Sequence, residues 1–186
     1  MERLEYPGNL EELKTRMETE RPVLWEDLPD IPLYMDQVVS YLGRQLISFR
    51  EGEGLTSAMI NNYIKDGIVP RANGKRYDKE HLASLTAVAV LKQILSVRDL
   101  GSLMKHGVMN GEPEVCYRNF CAVLDAALGE TANALETEEE NLPELAVSLA
   151  LRAYADVLAC RRILDLVRGE EEGAQKEKKK KKEKEK

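Results

Sequence analysis

The alternation of apolar and polar residues along the chain predicts a protein built from helices. Apolar residues recur every three or four positions in several separate stretches, which is the spacing of a helix with one buried face. Proline, glycine and asparagine occur at the boundaries between these stretches. We predict helices at residues 10–17, 34–49, 56–65, 78–95, 96–104, 114–135 and 142–167. The predicted fold class is therefore all-α.

One short segment, residues 68–77, has a different pattern. It contains two extended pieces separated by Asn73 and Gly74. Asn-Gly between extended pieces is typical of a type I′ turn, in which both central residues need a positive φ. The sequence therefore predicts a small β-hairpin between the helices at 56–65 and 78–95.

The N-terminal segment, residues 1–33, is acidic and interrupted by prolines. Its first thirty residues hold nine acids and four bases. Three prolines between positions 22 and 32 exclude one regular element there. We expect Trp25, Leu28 and Ile31 to pack onto the folded body, because an exposed tryptophan would forgo a large burial free energy.

The helix predicted at 142–167 is apolar around most of its circumference. Its polar positions form one narrow stripe at four-residue spacing: Glu144, Ser148, Arg152 and Asp156. Such a helix must be covered on more than one side, either by its own chain or by a second subunit. We expect a homodimer in which this helix pairs with its symmetry mate or packs beside the 114–135 helix at the dimer seam.

Composition limits the cellular setting. Apolar residues make up 43% of the chain, enough for a core, yet no stretch approaches the roughly 20 uncharged apolar residues of a membrane span. The three cysteines are an odd number without disulfide-framework spacing, which favours a reducing compartment. We expect a cytoplasmic protein that does not enter a membrane.

The net charge of −6 is unevenly distributed. Residues 176–186 carry eight lysines and three glutamates, so residues 1–175 sum to −11. An acidic body does not attract a polyanion over its whole surface, so binding to nucleic acid requires a local basic patch. Residues 56–79 supply one, with five bases and two acids.

Residues 55–85 read LTSAMINNYIKDGIVPRANGKRYDKEHLASL. This stretch resembles the MerR-type DNA-binding domain: a recognition helix, then Gly67, two aliphatic residues and Pro70, a hairpin wing, and Tyr77 before an acidic helix start. The segment QILSVRDLGSLM at 93–104 resembles that family's next helix. The resemblance covers about half of the chain. The whole sequence is also similar to a bacterial family of about this length whose function has not been assigned.

The resemblance implies a winged helix-turn-helix that binds double-stranded DNA and regulates transcription. Helix 56–65 would enter the major groove, and the wing at 68–77 would contact the backbone. Asparagine can pair with adenine N6 and N7, and serine and lysine can bond phosphates or bases. The predicted DNA contacts are Thr56, Ser57, Asn61, Asn62, Lys65, Arg71, Lys75, Arg76 and Tyr77.

The predicted organisation has four parts. These are the N-terminal segment 1–33, a MerR-like winged helix-turn-helix at 34–106, a C-terminal helical hairpin at 112–168, and a disordered Lys/Glu tail at 169–186. The chain departs from the MerR pattern at two points: Asn61 stands where that family usually has arginine, and the segment before Thr56 is longer than its tight turn. The alternative function is a protein–protein adaptor that keeps the winged-helix scaffold without DNA.

No pattern in the sequence indicates an enzyme, a metal site or a cofactor. The chain has no Gly-rich phosphate loop, no nucleophile elbow and no paired His–Glu metal motif. Cys116 and Cys121 point about 140° apart on one helix, and Cys160 lies on another, so only a metal site between two helices is conceivable. We interpret the three cysteines instead as small buried apolar residues. We expect a non-enzymatic protein whose effector the sequence does not identify.

Overall fold

The computed structural model describes residues 10–45, 54–136 and 141–184, with the backbone alone for residues 136 and 171–184. It confirms the all-α class, because the described residues form seven α-helices and no named strand. The helices are α1 (Leu10–Thr19), α2 (Met35–Leu42), α3 (Ser57–Lys65), α4 (Lys79–Leu91), α5 (Val97–Leu103), α6 (Pro113–Glu136) and α7 (Leu142–Lys184). A 3₁₀ turn at Trp25–Asp27 and a π-helical turn at Met104–Val108 complete the described elements.

Helix α4 is the centre of the core. Every side chain from residue 81 to residue 89 is buried, and Leu82, Leu85 and Val88 have no exposed surface. A helix that is apolar on all sides must be covered on all sides, and α4 packs against both α2 and α6. The buried Thr86 hydroxyl donates to the Leu82 carbonyl within the helix at 2.9 Å.

The N-terminal segment packs onto α6. The Trp25 ring lies 6.1 Å from that of Tyr117, whose hydroxyl donates to the Val23 carbonyl at 2.8 Å. Leu28 is buried, as expected, but Ile31 is 75% exposed, so the prediction for Ile31 is wrong. Its neighbour Asp30 is also exposed and forms an ion pair with Lys79, the first residue of α4.

Helix α2 is shorter than the sequence predicts. It ends at Leu42, and Gly43 follows as its C-cap, whereas the predicted helix continues to residue 49. Glycine weakens helix propagation because it loses the most backbone entropy on folding. Residues 46–49 lie outside the described part of the chain.

The predicted hairpin forms no strands in the described structure. The wing segment, residues 68–77, contains two isolated antiparallel bridges, Leu33 with Tyr77 and Asn73 with Arg76. Pro70 has no N–H to donate, and only a few residues lie between it and the turn. A continuous ladder of hydrogen bonds therefore does not form. The described residues are therefore all-α, without the predicted β-hairpin strands.

The chain divides into two compact units, Met1–Leu145 and Ala146–Lys186, within the length of α7. The backbone of α7 continues as helix to Lys184, although the sequence predicts a disordered tail from residue 169. Glutamate and lysine are good helix formers, so a composition that cannot form a core can still support a helix. Within the described residues, no helix has both the length and the apolar content that a membrane span requires.

Candidate nucleic-acid interface

Helix α3 has one buried face and one exposed polar face. The Thr56 hydroxyl caps its N-terminus by accepting from the Met59 N–H at 3.2 Å. Ile60 and Tyr63 are buried and hold the helix on the body. The opposite face presents short or flexible polar side chains to solvent: Ser57, Asn61, Asn62 and Lys65. This is the division that the sequence predicts for a recognition helix.

The end of α3 fixes the start of the wing segment. Gly67 has a φ of 71°, and the Ile68 N–H donates to the Tyr63 carbonyl at 2.9 Å, which together form a Schellman-type helix end. The Ile68 side chain then lies over Gly101 of α5, where an added Cβ would come within 3.3 Å of Ile68 Cγ1. The helix and the wing segment are therefore joined by a rigid corner.

The turn of the wing lies one residue later than predicted. Asn73 and Arg76 exchange two backbone hydrogen bonds of 3.0 Å each, so Gly74 and Lys75 are the central residues, with φ of 56° and 69°. The sequence prediction places Asn73 and Gly74 there. Lysine in this left-handed region costs on the order of 1 kcal/mol. As a result, the Lys75 side chain stands at the exposed tip of the turn.

The base of the wing is paired with the segment before α2. Leu33 and Tyr77 exchange backbone hydrogen bonds of 2.8 and 2.9 Å. Arg76 donates to the Tyr34 hydroxyl at 3.0 Å and lies 5.0 Å from the centre of its ring. Nothing in the sequence pattern indicates Tyr34 as a partner, because it lies 42 residues away from Arg76 in the chain.

Tyr77 is buried, and its ring meets that of His81 edge-on at 5.6 Å. It therefore holds the base of the wing and does not present its ring to a ligand, unlike the other predicted contact residues. Those eight are all exposed: Thr56, Ser57, Asn61, Asn62, Lys65, Arg71, Lys75 and Arg76.

His81 connects the wing to the start of α4. Its Nε2 donates to the Arg71 carbonyl at 3.1 Å, and its Nδ1 lies 2.7 Å from the Asp78 carboxylate. The same carboxylate caps α4 by accepting from the backbone N–H groups of Glu80 and His81. Burial acts to raise the pKa of Asp78, but its hydrogen bonds from His81 outweigh this effect and lower the pKa from the ordinary value of 3.8.

Asp78→Ala should lower the free energy of unfolding by about 1–2 kcal/mol, because it removes a helix cap and the His81 partner together. Asp78→Asn keeps the capping oxygen and should lose less. Since the pKa of Asp78 is lowered in the folded chain, its ionisation adds stability at neutral pH that disappears as the pH falls through the lowered value. Urea unfolding at neutral pH and near pH 3 measures both effects. An Asp78→Ala protein as stable as the wild type would contradict this role.

Four cations stand on the exposed side of this unit, and we call them the basic surface: Lys65, Arg71, Lys75 and Arg76. Within the described parts of the chain, no carboxylate lies within 4.0 Å of any of them. The fifth base of the region, Lys79, is paired with Asp30 at 3.0 Å and lies 5.5 Å from the Trp25 ring centre.

Several acids of the N-terminal segment are paired with cations outside the basic surface. Glu26 pairs with Arg118 on α6, and Glu20 pairs with Arg16 at 2.5 Å within its own segment. Asp30, the acid closest in sequence to the wing's pairing partner Leu33, is held by Lys79. The most acidic part of the described chain therefore leaves the basic surface without counter-charges.

The cysteines and acids of the described residues form no group of three or more that is close enough to hold a metal ion. Cys116, Cys121 and Cys160 are half-buried free thiols. Burial raises the pKa of the Cys121 thiol, and a hydrogen bond with Tyr117 offsets this only in part. A thiol with a raised pKa is a poor nucleophile near neutral pH.

Comparison with known proteins gives one match. The model of the family described as "Domain of unknown function (DUF1836)" matches residues 23–120, more than half of the chain, and the protein belongs to this family. The matched region contains α2 to α5 and the whole candidate interface. No curated protein and no solved structure matches the chain.

Proposed function

We propose that this protein is a cytoplasmic transcriptional regulator that binds double-stranded DNA as a MerR-like winged helix-turn-helix. Helix α3 would lie in the major groove, and the wing segment would contact the phosphate backbone. The observation that carries the proposal is the basic surface: four exposed cations without carboxylate partners in the described residues, on a chain whose net charge is −6.

The dimensions of α3 support this role. An α-helix is about 10–12 Å in diameter with its side chains, which fits a major groove about 12 Å wide, and the nine residues of α3 give it a length of about 14 Å. The exposed face has no bulky apolar side chain, and its Asn61 and Asn62 can offer an amide to adenine N6 and N7. The rigid corner at Gly67 and Ile68 would let the helix and the wing segment approach one duplex together.

The adaptor alternative requires a protein partner for the same surface. If the acidic N-terminal segment covered the basic surface, the scaffold would have lost its attraction for phosphate. In the described residues, Asp30 and Glu26 instead pair with Lys79 and Arg118. This arrangement favours the DNA-binding function over the adaptor function. A local excess of cations on an otherwise acidic protein attracts phosphates.

The direct test of sequence recognition is selection of bound sites from random duplex DNA. We expect an enriched sequence containing adenine, and we expect Asn61→Ala to lose about 1–3 kcal/mol on that site and almost nothing on random DNA. Lys65→Ala should weaken binding to the selected site and to random DNA by similar amounts, because a phosphate is the same in every sequence.

Asn133→Ala, the same change at an exposed position of α6, is the matched control and should bind like the wild type. Equal losses on selected and random DNA for Asn61→Ala would make Asn61 a positioning residue and leave base recognition to its neighbours. Selection that enriches no sequence would remove the support for a sequence-specific regulator.

A further inference from the structure

Tyr34 is a large aromatic residue that stands 47% exposed at the base of the wing segment. Its backbone is held on both sides. The Tyr34 N–H donates to Gln37 Oε1 at 2.9 Å within the first turn of α2. The preceding residue, Leu33, exchanges two backbone hydrogen bonds with Tyr77. The position at which the Tyr34 side chain leaves the body is therefore fixed by the fold.

The exposed guanidinium of Arg76 lies against this ring. It donates from Nη2 to the Tyr34 hydroxyl at 3.0 Å, and its Cζ is 5.0 Å from the centre of the ring. A guanidinium has five N–H donors, and the bond to Tyr34 uses one of them. Arg76 is one of the four cations of the basic surface, so most of its donors remain available to an anion.

The Tyr34 hydroxyl is itself a donor that lies beside a fixed cation. It accepts from Arg76, and among the described residues no group accepts its proton. A phenol can accept and donate at the same time, and hydrogen bonds in a chain strengthen one another. The hydroxyl and the guanidinium therefore form a pair of donors whose heavy atoms are 3.0 Å apart.

We propose that Tyr34 is a further DNA contact, whose hydroxyl donates to the same backbone phosphate that Arg76 binds. The inference rests on the proposed function, because Arg76 belongs to the basic surface. Tyrosine is one of the side chains that bond phosphate oxygens in protein–DNA complexes. One phosphate has two non-bridging oxygens, so two neighbouring donors can bind it together. The contact would add the start of α2 to an interface otherwise made by α3 and the wing segment.

A role confined to positioning Arg76 leads to a different salt dependence. If Tyr34 only held the guanidinium in place, removing its hydroxyl would weaken the Arg76 contact and flatten the salt dependence, as Arg76→Ala does. A direct bond from the neutral hydroxyl releases no counterion, so its loss lowers the affinity and leaves the salt dependence unchanged. The two roles are therefore separated by the slope of log affinity against log salt.

Tyr34→Phe is the variant that tests the contact, because it keeps the ring beside Arg76 and removes only the hydroxyl. We expect its affinity for a labelled random duplex at low salt, measured by fluorescence anisotropy, to fall about ten-fold, the effect of one hydrogen bond to a charged group. The slope should match that of the wild type, whereas Arg76→Ala should flatten it by about 0.9. Tyr154→Phe, the same change at a tyrosine that is 67% exposed in α7, is the matched control and should bind like the wild type.

The same titrations distinguish the failure of this inference from the failure of the proposed function. If the wild type binds and Tyr34→Phe binds equally well, or shows a slope as flat as that of Arg76→Ala, the shared phosphate contact is wrong and the DNA-binding function stands. A wild type that binds no duplex at low salt would overturn both. Circular dichroism should show wild-type helix content for Tyr34→Phe, because loss of an exposed hydroxyl has little effect on stability.

Discussion

Reversing Lys75 and Arg76 to glutamate should lower the affinity for duplex DNA about 100-fold at low salt and flatten its salt dependence. Each lost charge-assisted contact is worth about 1.5 kcal/mol or more, and two such losses give this factor. Each phosphate contact also contributes about 0.9 to the slope of log affinity against log salt, so the slope should flatten by about 2. Fluorescence anisotropy with a labelled duplex at several salt concentrations measures both quantities.

The matched control is Lys92→Glu with Arg162→Glu, which changes the net charge by the same amount at two residues that do not belong to the basic surface. If attraction depended on overall charge alone, this control would lose as much affinity as the wing variant. We expect it to lose far less, because the basic surface acts through contact and not through the sum of charges. Since Arg76 also donates to Tyr34, circular dichroism should confirm that the wing variant keeps its helix content.

Ile60→Ala should be the most destabilising single change in α3, with a loss of about 2–5 kcal/mol in the free energy of unfolding. The Ile60 side chain has no exposed surface, and its removal costs both the transfer free energy and the cavity left behind. It also loosens the helix that carries the polar face. Chemical denaturation followed by circular dichroism at 222 nm gives the size of the loss.

Asn61→Ala, the exposed neighbour, is the control for stability and should change the free energy of unfolding by no more than about 0.5 kcal/mol. The two variants separate the anchoring of α3 from the recognition of DNA. Ile60→Ala should affect folding, and Asn61→Ala should affect binding. An Ile60→Ala protein with wild-type stability would show that α3 is not anchored as described.

The sequence predicts the helices well because their evidence is local. Apolar spacing and capping residues locate α3 closely, with Thr56 at its start and Gly67 after its end. The same holds for Ser96, whose hydroxyl accepts from the Asp99 N–H and begins α5. The helix predicted at 78–95 starts where expected but ends earlier, at Leu91, and its burial on all sides is not predicted from the sequence.

The wing is predicted less well because its conformation depends on distant residues. The bridge from Tyr77 to Leu33 and the contact from Arg76 to Tyr34 join segments far apart in the chain, which no local pattern specifies. The turn shifts by one residue to Gly74 and Lys75. Tyr77, at the end of this segment, is buried.

Helix geometry predicts which side chains of the site are exposed. It does not predict which of the charged side chains have ion-pair partners. Residues 56–79 contain five bases and two acids. Only the structure shows that one of these bases, Lys79, forms an ion pair with Asp30. The counter-charges of the N-terminal segment could equally have covered Lys65 or Arg71. Their placement on Lys79 and Arg118 is the part of the site that required three-dimensional information.

The affinity of the wild-type protein for a random duplex, measured from low to moderate salt, tests the central proposal most directly. With four cations in the basic surface and about 0.9 in slope for each phosphate contact, we expect log affinity to fall against log salt with a slope of about −3 to −4. No retention of any duplex at low salt would contradict the proposal that this surface binds DNA.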